Sequence, residues 1–442
     1  MWSVNSESGT LHSVLVQDAT EMWEKKLPFA GVESSTHLIE RCTHAQYRRG
    51  HEQWLELIKY LEEDGVRVFE VSALLRKIVE SATLSEKKEI VDLLWRDFPE
   101  KPEDLTYECI VEGYPSHPYF DVKGDKVIMP DFKRVNWAYP RDTSFTTQVG
   151  TVISQMRRYS RKYEPEVIRL IFEMDPILQR NLDIIYDANG LPGLIEPAAI
   201  EGGDVLIPDE ETICVGVGQR STFAGFKGAM KKLFEVDRNE KIKYICAVRN
   251  PGYPAESFVH LDTVINFPDN RKILTLPYYW DSDIVDMPSR KLFLKTIEAI
   301  RAQIERDARP MDSIPKPQDF DRVGECMVYT CNGEPKMLRK DRSLVDFLIK
   351  EDKIDRDGII FVGGKPKLDD IEHLIRAYLE QDRCACNIFA IRPKRIIAYE
   401  RNDLTIEALE EFGIKVKRWD DSYLDLLGGP HCSTAPLWRD PD

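Results

Sequence analysis

Residues 358–399 read GIIFV-GGKPKLDD-IEHLIRAYLEQDRCACN-IFAI-RPK-RIIAY, and this run decides the class of fold. The apolar runs 358–362, 388–391 and 395–399 are bounded by Gly, Pro and Lys, which is the length and punctuation of buried β-strands. Between the first two, Ile371, Leu374, Ile375 and Tyr378 recur at intervals of three and four within 370–379, so they share one face of a helix. Strand, helix, strand and strand in succession is an α/β arrangement.

The alternation continues outward. Apolar runs predict strands at 13–17, 66–71, 126–129, 212–217 and 244–248, and the spacing of Trp54, Leu55, Ile58 and Leu61 predicts a helix over 47–64. Residues 74–113 differ: Leu74, Leu75, Ile78, Val79, Ile90, Val91, Leu93 and Leu94 sit at helical spacing among many charges, which predicts a small helical insertion. The Pro-, Asp- and Arg-rich segment 281–321, with a helix over 289–306, reads as a surface excursion. No Gly-rich phosphate loop follows the first strand, and Gly216-Val-Gly218 is too short to serve, so a dinucleotide-binding sheet is not supported.

Composition narrows the partners. The chain has 442 residues, 42% apolar and 31% charged, with 61 Lys and Arg against 76 Asp and Glu, a formal charge of −15. That is globular composition without the basic cluster needed to follow a phosphate backbone, so nucleic acid is not expected. The polar start, Met1 to Gly9, is unlike a secretory signal, and no apolar run approaches the roughly 18 residues needed to span a bilayer. Nine Cys scattered along a chain of this length read as reduced thiols in a cytoplasmic protein.

Four clusters carry chemistry. Asn136-Trp-Ala-Tyr-Pro-Arg-Asp142 places an Arg-Asp pair after a helix-ending Pro, which by itself is a turn with a surface ion pair. Glu201-Gly-Gly-Asp204 carries two acids around a Gly pair into an apolar strand, where Gly permits a sharp turn or a close approach. His260-Leu-Asp262 puts His and Asp on one face if extended, and a carboxylate beside His can orient it or bind a cation. Gly428-Gly-Pro-His-Cys432 sets a thiol in a loop whose amides can stabilise a thiolate. Cys, His and carboxylates far apart in sequence form the constellation of nucleophilic thiol catalysis. His431 is set aside as the base, because neighbours on an extended chain point to opposite sides. Cys384-Ala-Cys386 with His373 lacks the second close pair of a zinc site and is read, with Cys326 and Cys331, as buried small residues.

In these residues the chain resembles the guanidine-modifying enzymes, and within them the arginine deiminase family. Residues 136–142 are similar to its Asn-x4-Arg-Asp motif, 201–204 to its Glu-Gly-Gly-Asp, 260–262 to its His-x-Asp and 428–432 to its glycine loop with nucleophilic Cys. Arg161 and Arg220, each 19 residues beyond its acid, fall where the family places arginines that hold a substrate carboxylate. Ala398-Tyr-Glu-Arg-Asn402 is similar to a deiminase signature, and 74–113 sits where deiminases carry a helical subdomain. Two departures stand out: Leu424-Asp-Leu-Leu427 occupies the place of an Arg before the loop glycines, and His431-Cys432 looks like the amidinotransferase form.

The resemblance implies one catalytic domain over 1–442, a pentein-like five-bladed α/β propeller with the helical insertion at 74–113. It implies hydrolysis of L-arginine to L-citrulline and ammonia, with Cys432 as nucleophile, His260 as proton carrier and Glu201 orienting it. Asp142 and Asp262 fix the guanidinium, Asp204 is counted with them among the substrate-binding residues, and Asn136, Arg161 and Arg220 hold the α-carboxylate. No metal or other cofactor is implied, and the partner is a small molecule, L-arginine or a related guanidino acid. A homo-oligomer is compatible with all of this. Amidino transfer to an amine, dihydrolysis to ornithine and non-catalytic arginine binding stay open as alternatives.

Overall fold

The computed structural model describes residues 1–18, 44–96, 101–111, 121–123, 126–128, 139–158, 161–190, 198–251, 258–306, 316–365, 371–420 and 428–441. Five sheets share one plan, in which two antiparallel strands are followed by a third that lies parallel to the second. Parallel neighbours need a crossover, and helices provide it each time. In one sheet Thr434–Arg439 pairs with Leu11–Val16, and helix His44–Glu63 leads on to Arg67–Glu70. In the next, Ser144–Thr147 and Gly150–Ile153 are joined through helices Glu164–Met174 and Pro176–Asn181 to Ile184–Asp187. Val205–Asp209 and Thr212–Val217 reach Tyr244–Arg249 through helix Phe223–Val236.

The fourth sheet, Ile265–Asp269, Lys272–Thr275 and Ile359–Phe361, has the longest crossover. Within that crossover lies the hairpin Cys326–Asn332 and Glu334–Asp341, which pairs instead with Tyr244–Arg249 and widens the third sheet to five strands. The fifth sheet is Phe389–Arg392, Arg395–Tyr399 and Lys415–Trp419, closed through helix Asp403–Glu411. The strand over 212–217 and that over 395–399 fall where the sequence predicts them. Others shift by a residue or two: Val71 begins a helix instead of ending a strand.

The segment 281–321 is more firmly anchored than its composition suggests. Helix Arg290–Arg306 buries Phe293 and Ile297, and Phe293 stacks on Tyr278 at 4.6 Å and meets Phe320 edge-on at 5.0 Å. Its charges lie on the outer face of a helix whose inner face belongs to the core. Cys384 and Cys386 sit in a turn before their strand, Cys384 with φ 55, and His373 faces Ser289 and the Gly364 carbonyl.

Residues 74–113 hold helices Val71–Ser81, Leu84–Leu94 and Tyr107–Val111. The second begins with a capping box, Thr83 accepting from Glu86 N–H while Glu86 accepts from Thr83 N–H, an arrangement that satisfies two helix-end donors at once. Leu75, Ile78, Ile90, Leu94 and Trp95 share an apolar cluster with Ile168, Ile171 and Phe172 of helix Glu164–Met174. Among the described residues no helix is long and apolar enough to cross a membrane. Trp95 is fully buried in this cluster; Trp95→Ala is expected to cost about 3–5 kcal/mol, read as a lower urea midpoint, and a loss under 1 kcal/mol would contradict the packing described.

Candidate active site

Each of these five sheets brings site residues to the same local position, the turn that leads into its first strand. Asp142 lies in the one-turn helix Pro140–Thr143 before Ser144, Glu201 and Asp204 precede Val205, His260 and Asp262 precede Ile265, Asn387 precedes Phe389, and His431 and Cys432 precede Thr434. Backbone there is released from the ladder, so side chains can turn inward. The turns are tight. A Cβ on Gly202 would lie 2.0 Å from the Arg141 carbonyl oxygen, and one on Gly203 would lie 2.7 Å from Asp142 Oδ1 and 2.8 Å from His260 Nδ1. This is the close approach for which the Gly pair is needed.

His260 precedes and Asp262 lies within a 3₁₀ turn, Leu261–Thr263, instead of an extended strand, and they face different partners. His260 Nε2 is 2.8 Å from Glu201 Oε2, and its Nδ1 is 3.8 Å from Asp142 Oδ1. Burial would discharge the ring, but Asp142, Glu201 and Asp204 outweigh it and lift its pKa to about 9. Glu201 accepts from the Arg157 amide at 2.8 Å and lies 3.7 Å from Arg220 Nη1. Against the cost of burial, Arg220 and His260 hold its carboxyl well below the usual range.

The second half of the site surrounds the thiol. Cys432 Sγ donates to Asp262 Oδ2 at 3.7 Å, and the same oxygen is 2.8 Å from His431 Nδ1. The expectation that His431 points away from its neighbour is therefore overturned: residues 430–433 form a turn, not an extended segment, and both side chains meet one carboxylate. Burial, then the charges of Asp262 and Asp142, push the thiol well above its ordinary pKa, so an arriving cation is what would favour its ionised form. Despite burial, His431 holds Asp262 below the ordinary carboxylate range.

Arg161 is engaged within the protein. Its guanidinium donates to both oxygens of Glu164, to Asp142 Oδ2 at 2.6 Å and to the Tyr139 carbonyl, so it serves to fix Asp142. Asp204 is likewise occupied, accepting from the Ser221 and Leu261 amides at 3.0 Å each and from Asn250 at 3.2 Å. It ties three loops together, while burial pushes its carboxyl up to about 7. Arg141 is not the surface partner of Asp142: it is buried and donates to the Thr434 and His431 carbonyls. Asn136 and the segment 424–427 lie outside the described residues.

Four buried polar atoms of this site have no hydrogen-bond partner among the described residues: Asp142 Oδ1, Asp262 Oδ1, and Nε and Nη1 of Arg220. Unpaired buried polar groups are costly. The acceptor oxygens suit a cationic group and the guanidinium edge an anionic one. Asp142, Glu201 and His260 also bring donor atoms within 4.8 Å of one another. Both ring nitrogens of His260 face carboxylates, so the trio can hold a proton on the ring.

A family model described as arginine deiminase matches residues 117–294 and 351–439, more than half of the chain. The chain belongs to the arginine deiminase family. An arginine deiminase of Listeria monocytogenes serotype 4a is 29% identical over 306 residues, covering 69% of this chain and 62% of that protein. One from Mycoplasma capricolum is 25% identical over 334 residues, covering 75% and 66%. The chain thus spans slightly less than two thirds of the length of these curated relatives. Among solved structures, an amidinotransferase from Microseira wollei in the saxitoxin biosynthetic pathway superposes with TM-score 0.55 at 13% identity, covering 100% of this chain and 98% of that one. The fold is therefore mixed α/β of the amidinotransferase kind.

Sequence reasoning missed Glu7, Glu164 and Asn387. Asn387 accepts from the Cys432 amide at 3.0 Å and donates to the Asp262 carbonyl at 3.3 Å; Glu7 accepts from His431. Only Glu164, three residues from Arg161 at the start of a helix, had a local signal in the spacing of opposite charges.

The raised pKa of His260 sets a pH dependence. The proton bound in the folded state stabilises it fully below about 6.5 and loses this effect as pH rises through about 9. The Tm advantage of the native protein over His260→Gln should therefore shrink between pH 6.5 and 9. An advantage that stays flat over that window would contradict the Glu201–His260–Asp142 geometry.

Proposed function

We propose that this chain hydrolyses L-arginine to L-citrulline and ammonia, as the name of its family indicates. We further read the five alike sheets as the blades of a closed α/β propeller, with 1–442 a single catalytic domain and 74–113 a helical insertion. The observation that carries the activity is a set of buried polar atoms without a hydrogen-bond partner among the described residues: Asp142 Oδ1 and Asp262 Oδ1, which suit a cationic group, and the Arg220 edge, which suits a carboxylate.

A guanidinium is planar and resists deprotonation, so it is held by carboxylates that accept its N–H groups in pairs. Asp142 and Asp262 each offer one oxygen, Oδ1, for this, and the cation they receive offsets the anionic field that keeps Cys432 protonated, so the thiol releases its proton to solvent. The thiolate attacks the central carbon, forming an S–C bond and a tetrahedral adduct. His260, protonated at neutral pH, gives its proton to the departing terminal nitrogen; the C–N bond breaks, ammonia leaves and a thiouronium remains on Cys432. The now neutral His260 takes a proton from water, the hydroxide adds to the same carbon, and the C–S bond breaks as the adduct's hydroxyl proton passes to the sulfur, which releases citrulline and restores the thiol. Glu201 stabilises the imidazolium in both halves. Arg220 receives the α-carboxylate; Arg161 and Asp204 act by holding Asp142 and the surrounding loops.

Mass spectrometry of the products tests this. Citrulline and ammonia from L-arginine alone support it, whereas ornithine formed only when an acceptor amine is present would assign amidino transfer instead. Cys432→Ala should abolish turnover yet still bind arginine in calorimetry, because the nucleophile supplies chemistry more than affinity. Arg220→Ala should raise KM for arginine about 30-fold or more, the value of a charge-assisted pair, and leave binding of agmatine, which has no carboxylate, unchanged; an unaltered KM would remove Arg220 from the substrate's carboxylate.

A further inference from the structure

His431 lies outside the chemistry just described, yet it is as buried as any residue of the site. Its Nδ1 is 2.8 Å from Asp262 Oδ2 and its Nε2 is 3.2 Å from Glu7 Oε2. Carboxylates only accept hydrogen bonds, so the ring bridges both acids when it donates from both nitrogens. Glu7 is itself committed: its other oxygen accepts from the Ile207 amide at 3.2 Å. Although burial disfavours the charge, His431, Arg141 and Arg439 hold the Glu7 carboxyl down at about 2, so it stands as an acceptor toward the ring.

Asp262 must present Oδ1 to the substrate while Oδ2 stays at the sulfur, and its position within a 3₁₀ turn does not by itself fix that rotation. His431 holds one oxygen, and Glu7 holds His431. We infer that Glu7 is a positioning residue for the nucleophile, keeping His431 as a cationic bridge that sets the rotation of Asp262 and screens its charge from the Cys432 sulfur. The other charged groups around this chain are Arg141, bonded to the His431 carbonyl, His260, which acts on Asp262, and Asp142 and Cys384, which act on the sulfur. None of them bonds to both Asp262 and Glu7 as His431 does, so none can replace the bridge.

The role of the nucleophile rests on the arginine-hydrolysis reading, but the test does not need turnover. Glu7→Gln keeps an oxygen for the Ile207 amide and removes the charge. Alkylation of Cys432 by iodoacetamide, followed by peptide mass spectrometry across pH, should shift its midpoint upward by about one pH unit, and Glu7→Asp should recover part of it. With arginine, kcat should fall about tenfold or more while KM changes less than threefold. An unchanged alkylation midpoint in folded Glu7→Gln overturns the inference. If that variant does not fold, His431→Asn, which retains a donor toward Asp262 but no cation, must show the same upward shift, and its absence is equally decisive. A wild type that never turns over arginine would instead sink the functional reading, while the alkylation profiles still judge the bridge.

Discussion

Taking a carboxylate out of water costs several kcal/mol unless cations or N–H groups replace the lost hydration, and this chain does so at Glu7, Asp142, Glu164, Glu201, Asp204 and Asp262. Each has a named counterpart. Arg161 lies between Asp142 and Glu164, Arg220 and His260 flank Glu201, His431 joins Glu7 to Asp262, and backbone amides surround Asp204. The compensation is incomplete at one oxygen each of Asp142 and Asp262 and at the Arg220 edge. A site that neutralised every charge internally would have nothing left with which to choose a ligand.

The fold meets this requirement by repetition. Two antiparallel strands and a parallel third recur five times, and the turn before the first strand supplies a site residue in each. None of these turns needs more than a few residues, because the strand that follows is buried and fixes where the turn begins. The Gly202–Gly203 pair lets one such turn press directly on Arg141 and His260, so acids from one sheet reach the imidazole of the next. Precision of this kind comes from rigid elements more than from the turns themselves.

Legibility in the sequence followed the range of the interactions. Thr212–Val217 and Arg395–Tyr399 are dense in Ile, Val and Ala and read plainly as strands, whereas Ser144–Thr147 (SFTT) and Lys415–Trp419 (KVKRW) carry polar side chains whose burial or pairing is decided by distant partners. Cys432, His260, Glu201, Asp142 and Asp262 were legible as residue types in short motifs. What each one faces was not. Arg161 has the composition of a substrate ligand but meets Glu164 and Asp142 first, and Glu7 meets His431 across 424 residues, a separation over which no local pattern survives. The extended-chain reasoning that set His431 aside failed because a turn brings neighbouring side chains to the same carboxylate.

The pairing of Leu11–Val16 with Thr434–Arg439, together with the bond from Arg439 to the Gly9 carbonyl across 430 residues, has a meaning for the folding path. Contacts so distant in sequence pay the largest loop-closure entropy and form slowly unless intervening structure has already drawn the segments together. The sulfur sits immediately before the second of these strands, and Glu7 shortly before the first. Four sheets can therefore gather their strands before the thiol is placed, and the pairing of these two strands is what places it. Until those strands pair, the acids and the imidazole of the other sheets lack the sulfur that completes their cluster.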